Sequence, residues 1–463
     1  MNYWQQEEGR EVVMFVLPTR TRGGRRLLVL TALAAASTLA LAACGGSTTT
    51  SSSGSAKPSG NANSGSITWW ASPITTTSPD PRTVLINAFE KVHPNIKVHL
   101  QSAPTNTDTN RASLVTTISG GSASPDVFMG DVIWPAEFGA HQLAVPLSKY
   151  LKSSYWSTFA PGLVKGATFK GQIYGAPFFE DQGFLYYRKD LLRKEHLSVP
   201  KTWQQLESDA VMLKNKGLVK YGYVWQGASY EGLTCNFMEY LGSAGGTVLN
   251  SSLTKATVDS PAGQKALNFM RSLITSGASP SAVTTFQEAQ AMSSFATGQA
   301  AFLRNWDYGY SYANTASSPS KVVGKVGVAP LPSFAGQPYP GTSNIGGWNL
   351  YINPHSKNVA ADLTFIKWMT SPAAQTILAT KFSEIPTVQS VRSSEAVVRV
   401  NPVLATVPHT RLIPRPAQTP QYPKVSQAIF QNVNSVLAGS SSPTSALSTA
   451  SNSINSAVSG SGL

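Results

Sequence analysis

From residue 67 onward, hydrophobic positions fall into short stretches of period two separated by longer stretches of helical period. Ile67-Thr68-Trp69-Trp70 reads as a strand. Pro81 then opens a helix whose apolar positions Val84, Leu85, Ala88, Phe89 and Val92 share one face, because proline is preset for the first helical turn. Pro94 stops it, and Ile96-Lys97-Val98-His99-Leu100 alternates as a half-buried strand. These three segments make a β-α-β unit. The order repeats with a helix over 111–119, a strand over 126–129, a helix over 134–140, and Tyr174-Gly175-Ala176-Pro177 leading into a strand at 183–187. Thr202 caps a helix running to 213, with Gln205 placed to reach back. Further helices are expected over 261–276, 286–296, 360–369, 372–380 and 423–437, with a short one in the Ser-rich tail 440–463. Alternation of this kind predicts an α/β fold of parallel-rich sheets covered on both faces.

The N-terminal pattern differs. Arg20 to Arg26 supply positive charge, an apolar run follows from Leu27 to Leu41, and Leu41-Ala42-Ala43-Cys44 ends it with small residues before a cysteine. This resembles a bacterial lipobox, which implies a signal peptide over 1–43, diacylglyceryl transfer to Cys44 and cleavage before it. A transmembrane anchor would need about 20 apolar residues and flanking charge, and this run is shorter. Arg25-Arg26 leaves the twin-arginine export route open. The Ser, Thr, Gly and Asn of 44–65 read as a flexible tether.

Composition narrows the classes. With 463 residues, 41% hydrophobic, the chain can bury a core and build more than one lobe. Its net charge of +13 is spread singly rather than in an aromatic-interleaved stripe, which argues against nucleic acid as a partner. Only Cys44 and Cys235 are present, so lipidation of the first leaves the second without a disulfide partner. The six histidines are isolated, and no HExxH, G-x-S-x-G or P-loop spacing occurs, so neither a metal nor a cofactor is expected.

Several segments carry a sharper signal. They are Pro125-Asp126-Val127-Phe128-Met129-Gly130-Asp131-Val132-Ile133-Trp134, Gly183-Phe184-Leu185-Tyr186-Tyr187-Arg188-Lys189-Asp190-Leu191-Leu192, Trp225-Gln226-Gly227-Ala228-Ser229-Tyr230-Glu231-Gly232-Leu233, Arg304-Asn305-Trp306, Gly346-Gly347-Trp348-Asn349-Leu350 and Arg415-Pro416. In this order they resemble the carbohydrate branch of bacterial extracellular solute-binding proteins, and most the trehalose/maltose-binding members. The resemblance implies a two-lobed periplasmic-binding-protein-like fold (type II) with a ligand cleft and about three hinge crossings, near Pro177, Ser343 and Ile385. Lobe I would hold 66–177 and 344–385, and lobe II 178–343 and 386–463. The implied role is capture of a disaccharide by a monomer lipid-anchored outside the cell membrane, and its delivery to ABC permease subunits.

A pyranose offers apolar C–H faces and a rim of hydroxyls, so its site needs aromatic platforms and carboxylates that accept from hydroxyls. The resemblance nominates Asp131 and Asp181 as acceptors, one from each lobe, and Glu231 beside Tyr230 as a third. Trp306 and Trp348 would stack, Gly346 would admit close backbone approach, and Arg415 would donate two parallel bonds. Thr107 and Asp108 follow the second strand as small polar contacts. Related proteins carry a carboxylate where this chain has Ser78, and Asp80 is its candidate substitute. Other readings stand beside these. Asp131 could cap the helix through Trp134, Asp190 the helix at Leu191-Leu192, and Arg415 could be a loop charge between Pro414 and Pro416, while Trp203 and Trp368 look like packing residues.

Two rival functions remain. Glu180-Asp181 invites a carbohydrate-active enzyme, but strand neighbours point to opposite faces, whereas glycosidase carboxylates flank one bond. A binding protein for an anionic glycerol-phosphate compound would use Arg304 and Arg415 as counter-ions.

Overall fold

The computed structural model describes residues 57–75, 78–316 and 319–460. The expected signal peptide and Cys44 lie outside them. The expected tether is fastened from Ser59 onward: the Ser59 carbonyl accepts from Ala360 N at 2.8 Å and the Ala62 carbonyl from Thr364 Oγ1 at 2.8 Å. Small polar residues there leave backbone groups free to cap the neighbouring helix, which composition alone does not reveal.

Two sheets organise the chain. The larger runs, in order, through Ile385–Pro386, Ala176–Gln182, Thr342–Ile352, Val127–Asp131, Gly65–Ala71 and Ile96–Ser102, with Arg411–Ile413 beside the start of Thr342–Ile352. Gly65–Ala71 pairs in parallel with Ile96–Ser102 and with Val127–Asp131, as the opening β-α-β unit requires. Thr342–Ile352 is antiparallel to both its long neighbours. The smaller sheet runs Val326–Ala329, Phe184–Arg188, Ala300–Asn305, Tyr221–Val224, and only its last pair is parallel. The sheets are therefore mixed rather than parallel-rich. A strand that enters the second sheet straight from the first has no crossover helix to turn it parallel.

That passage occurs at Gly183. Strand Ala176–Gln182 lies wholly in the larger sheet and Phe184–Arg188 in the smaller. The Ser343 hydroxyl clasps the junction, accepting from Gly183 N and donating to Gly183 O at 2.9 Å each.

Helix Pro81–Val92 begins and ends where its prolines direct, with Asp80 accepting from Arg82 N at its start. Thr202 caps Trp203–Asn215, and Gln205 reaches back to Lys201 N at 3.1 Å. Helix Thr107–Ser119 starts four residues before the apolar pattern does, because Asn106 caps it by accepting from Thr109 N. Asp190 sits inside the helix Lys189–Lys194 and holds Arg188 at 2.6 Å instead of capping. Trp203 is fully buried, its ring 4.3 Å from that of Tyr240, and Trp368 lies against Phe89. Both are packing residues.

Candidate functional site

A cavity of about 220 Å³ is bounded by ends of strands from both sheets. The larger sheet contributes Asp131 at the end of Val127–Asp131, Phe179 and Asp181 from Ala176–Gln182, and Gly346 and Trp348 from Thr342–Ile352. From the other side come Trp306 and Tyr308, just past Ala300–Asn305, and Tyr230 and Glu231 at the start of helix Glu231–Ser243. Strand ends suit this work, since side chains there are aimed by a rigid ladder while the backbone turns away.

Arg415 organises one half of the wall. Its Nη2 donates to Asp131 Oδ1 at 2.9 Å and its Nη1 to Glu231 Oε1 at 3.0 Å. Thr107 donates to the other Asp131 oxygen at 3.2 Å, and Asp131 Oδ1 also accepts from Ile133 N. Tyr422 donates to Glu231 Oε1 at 2.6 Å, and the Ser426 hydroxyl holds Glu231 Oε2. Burial outweighs these contacts and pushes Glu231 up to about 7, although the nearby guanidinium pulls it down. The expected pair of parallel bonds from Arg415 to a solute is thus corrected: both its Nη groups are held by protein carboxylates. A buried guanidinium between two carboxyls satisfies them first, which leaves its Nε as the donor without a protein partner.

A second acidic group meets no cation. Asp181, Asp307 and Glu384 each present an oxygen within 4.8 Å of the others, and all three are buried. Burial, then the neighbouring charges of Asp131 and Glu180, push Asp181 up to about 7, while Asp307 and Arg415 act the other way. Asp307 and Glu384 are driven well above the carboxylate range, by burial first and the Asp181 charge next.

The aromatic platforms line the same cavity. Trp306 has the Arg304 guanidinium 3.9 Å from its ring centroid, and Trp348 stands edge-on to Trp134. A methyl group on Gly346 would come within 3.1 Å of Asp181 Cβ and 3.2 Å of the Trp306 ring, so the close approach that this glycine allows is made by an indole. Gly347, at φ +115°, needs a conformation that other residues avoid. Arg304 is fixed below by Glu239, at 2.5 and 2.8 Å.

Two expected contacts fall elsewhere. Asp80 caps its helix and pairs with Arg82 at 2.6 Å, outside the cavity lining, because a cap next to an arginine already has both oxygens engaged. Asp108 accepts from Glu231 N at 3.0 Å, so it ties the start of one helix to that of another, away from the lining. Asp131, Asp181, Tyr230, Glu231, Trp306, Gly346, Trp348, Arg415 and Thr107 do line the cavity. Sequence reasoning missed Glu288, Tyr308, Tyr312 and Glu384. Tyr308 follows Trp306 by two residues and could have been found from that motif. Glu288 and Glu384 lie in stretches with no motif at all.

The sequence profile described as bacterial extracellular solute-binding protein matches residues 75–376. The chain belongs to that family. A probable ABC transporter-binding protein of Deinococcus radiodurans is 34% identical over 362 residues, 76% of this chain and 84% of the relative. The maltose-bound MalE3 of T. maritima is 34% identical with a TM-score of 0.78, covering 84% of this chain and 98% of that one. A solute-binding protein from Thermotoga lettingae, bound with α-D-tagatose, is 27% identical with a TM-score of 0.76, covering 85% and 100%. Solute-binding proteins of this family serve ABC transporters outside the cytoplasm and are not enzymes, and this chain has their two-sheet α/β fold. Consistent with that, Glu180 turns away from the cavity to Arg392 at 2.5 Å while Asp181 faces it. No helix among the described residues is long and apolar enough to cross a membrane.

Proposed function

We propose that this chain captures a neutral disaccharide, an α-glucoside of the trehalose or maltose kind, by closure of two lobes and delivers it to membrane permeases. The observation that carries this reading is the convergence of Trp306 and Trp348 with Asp131, Asp181 and Arg415 on one cavity. Indoles cover pyranose faces, and buried acceptors left without a hydroxyl cost about 1–3 kcal/mol, so an ill-matched solute is rejected. Similarity to a maltose-bound structure supports the same class. The lobes are proposed with the boundaries expected from the sequence, except that the first crossing is set at Gly183, where sheet membership changes, which puts Asp131 and Asp181 in one lobe instead of one in each. Acylation at Cys44 would keep the monomer on the outer face of the membrane.

The lining disfavours an anionic solute. Among the described residues, Asp131, Asp181, Glu231, Glu288 and Glu384 face one arginine, Arg415. Arg304, the other expected counter-ion, is bound to Glu239.

Calorimetric titration with maltose, trehalose and a glycerophosphodiester tests the reading. Saturable heat with a disaccharide, and no glucose released on long incubation, is the expected result. Trp306→Ala and Trp348→Ala should each weaken binding about 30-fold, the loss of roughly 2 kcal/mol from a buried aromatic anchor. Binding of the phosphodiester alone, or unchanged affinity in both variants, overturns it.

A further inference from the structure

We propose that Asp181, Asp307 and Glu384 hold a hard divalent cation of the calcium class at the edge of the solute cavity. Each offers an oxygen within 4.8 Å of the other two. Calcium takes about six to eight oxygens in irregular geometry, whereas magnesium usually binds only one or two carboxylates and keeps its waters, so a three-carboxyl set favours calcium.

Geometry within the cluster points the same way. Glu384 is 1% exposed and Asp307 fully buried, yet among the described residues no donor from outside the cluster reaches either Glu384 oxygen or Asp307 Oδ1. Buried acceptors are almost always satisfied, so three such oxygens on two neighbouring carboxyls mark a missing partner. The fourth oxygen, Asp307 Oδ2, accepts from Ile385 N at 2.9 Å, which fixes that carboxyl's orientation. The arginines around the cleft do not supply the partner. Arg415 is paired with Asp131 and Glu231, Arg392 with Glu180, and Arg304 with Glu239.

Hard cations prefer such all-oxygen sets, and three carboxyls provide up to six ligand atoms. Asp181 and Glu384 line the cavity and Asp307 does not, so the open side of the ion would face the solute space. Water, or a pair of vicinal hydroxyls, can complete the coordination there. The site stands whatever the solute proves to be, because the ion can be titrated alone.

The test uses the purified full chain, stripped with a chelator and titrated with calcium chloride in the absence of sugar. One ion per chain is expected, with a dissociation constant of about 0.1–1 mM, the range of extracellular modules. Terbium should emit when Trp306 and Tyr308 are excited, and calcium should chase that signal. Glu384→Gln, folded by circular dichroism, should lose at least about tenfold in calcium affinity, as removal of one charged ligand from a three-carboxylate site implies. If the variant does not fold, terbium on the unaltered chain still decides. Absence of both heat and calcium-displaceable emission up to about 10 mM overturns the proposal, well above the weakest expected constant. So does equal calcium binding by a folded Glu384→Gln. In either case shared protons, not a metal, occupy the cluster, and the disaccharide reading stands or falls by its own sugar titration.

Discussion

Two acidic clusters flank the same cavity, and they are built on opposite principles. In the first, Asp131 and Glu231 close on Arg415, and their oxygens also accept from Thr107, Ile133, Tyr422 and Ser426. In the second, Asp181, Asp307 and Glu384 crowd together, and the side-chain oxygens meet no cation among the described residues, while the Ile385 N–H holds Asp307 Oδ2. Equal burial thus yields different roles. A network closed on its own cation sets the shape of the wall, whereas one without a cation keeps acceptors available to something that arrives from outside.

This contrast can be broken experimentally, and the largest effect belongs to the paired cluster. Arg415→Ala should destabilise the protein by about 3–5 kcal/mol, because it strands two buried carboxylates, as urea unfolding would show. A loss below about 1 kcal/mol would mean the pairs are solvated and that the two clusters do not differ.

Glu231 sharpens the comparison through pH. Its carboxyl titrates at about 7 in the folded chain against the ordinary value of about 4.3 when unfolded, so the folded state holds the proton more tightly. Stability from this group is greatest below the unfolded value, falls as pH rises towards 7, and levels off above. One proton gives a slope of at most about 1.4 kcal/mol per pH unit, and Glu231→Gln should flatten that part of the profile.

Asp80 tests whether any charged pair near the cleft behaves like the wall. Asp80→Ala should lower stability by about 1 kcal/mol through the lost helix cap and leave disaccharide affinity unchanged. A changed affinity would restore it to the site.

Smallest of all is the effect expected in the unpaired cluster. In chelator, Glu384→Gln should change the unfolding free energy by less than about 1 kcal/mol, since an amide replaces a carboxyl that has no donor to lose. A loss as large as that of Arg415→Ala would show that Glu384 has a partner inside the fold.

Much of the scaffold and part of the site were legible in the chain. Pro81 and Pro94 bracket a helix because their rings act on the adjacent backbone, and the alternation of 96–100 marks a strand because its faces differ in solvent exposure. Asp131, Trp306 and Trp348 were visible because they sit in motifs whose neighbours are specific. Asp80 and Asp108 were misjudged for a common reason: a carboxylate at a helix start reads alike whether it caps or binds, and only its partners tell. The tether misread is similar, since Ser59 and Ala62 bond through backbone carbonyls that every residue has.

The order of strands and helices, the caps and the residue types able to hold a sugar were set by the sequence itself, through forces that act over a few residues. Tertiary structure alone decided which carboxyls met a guanidinium and which met each other. Asp307 and Glu384 become neighbours because strand Ile385–Pro386 pairs with Ala176–Gln182 and Ile385 N bonds Asp307. No local pattern records that meeting, since charge and burial at one position depend on chain that folds in from far away.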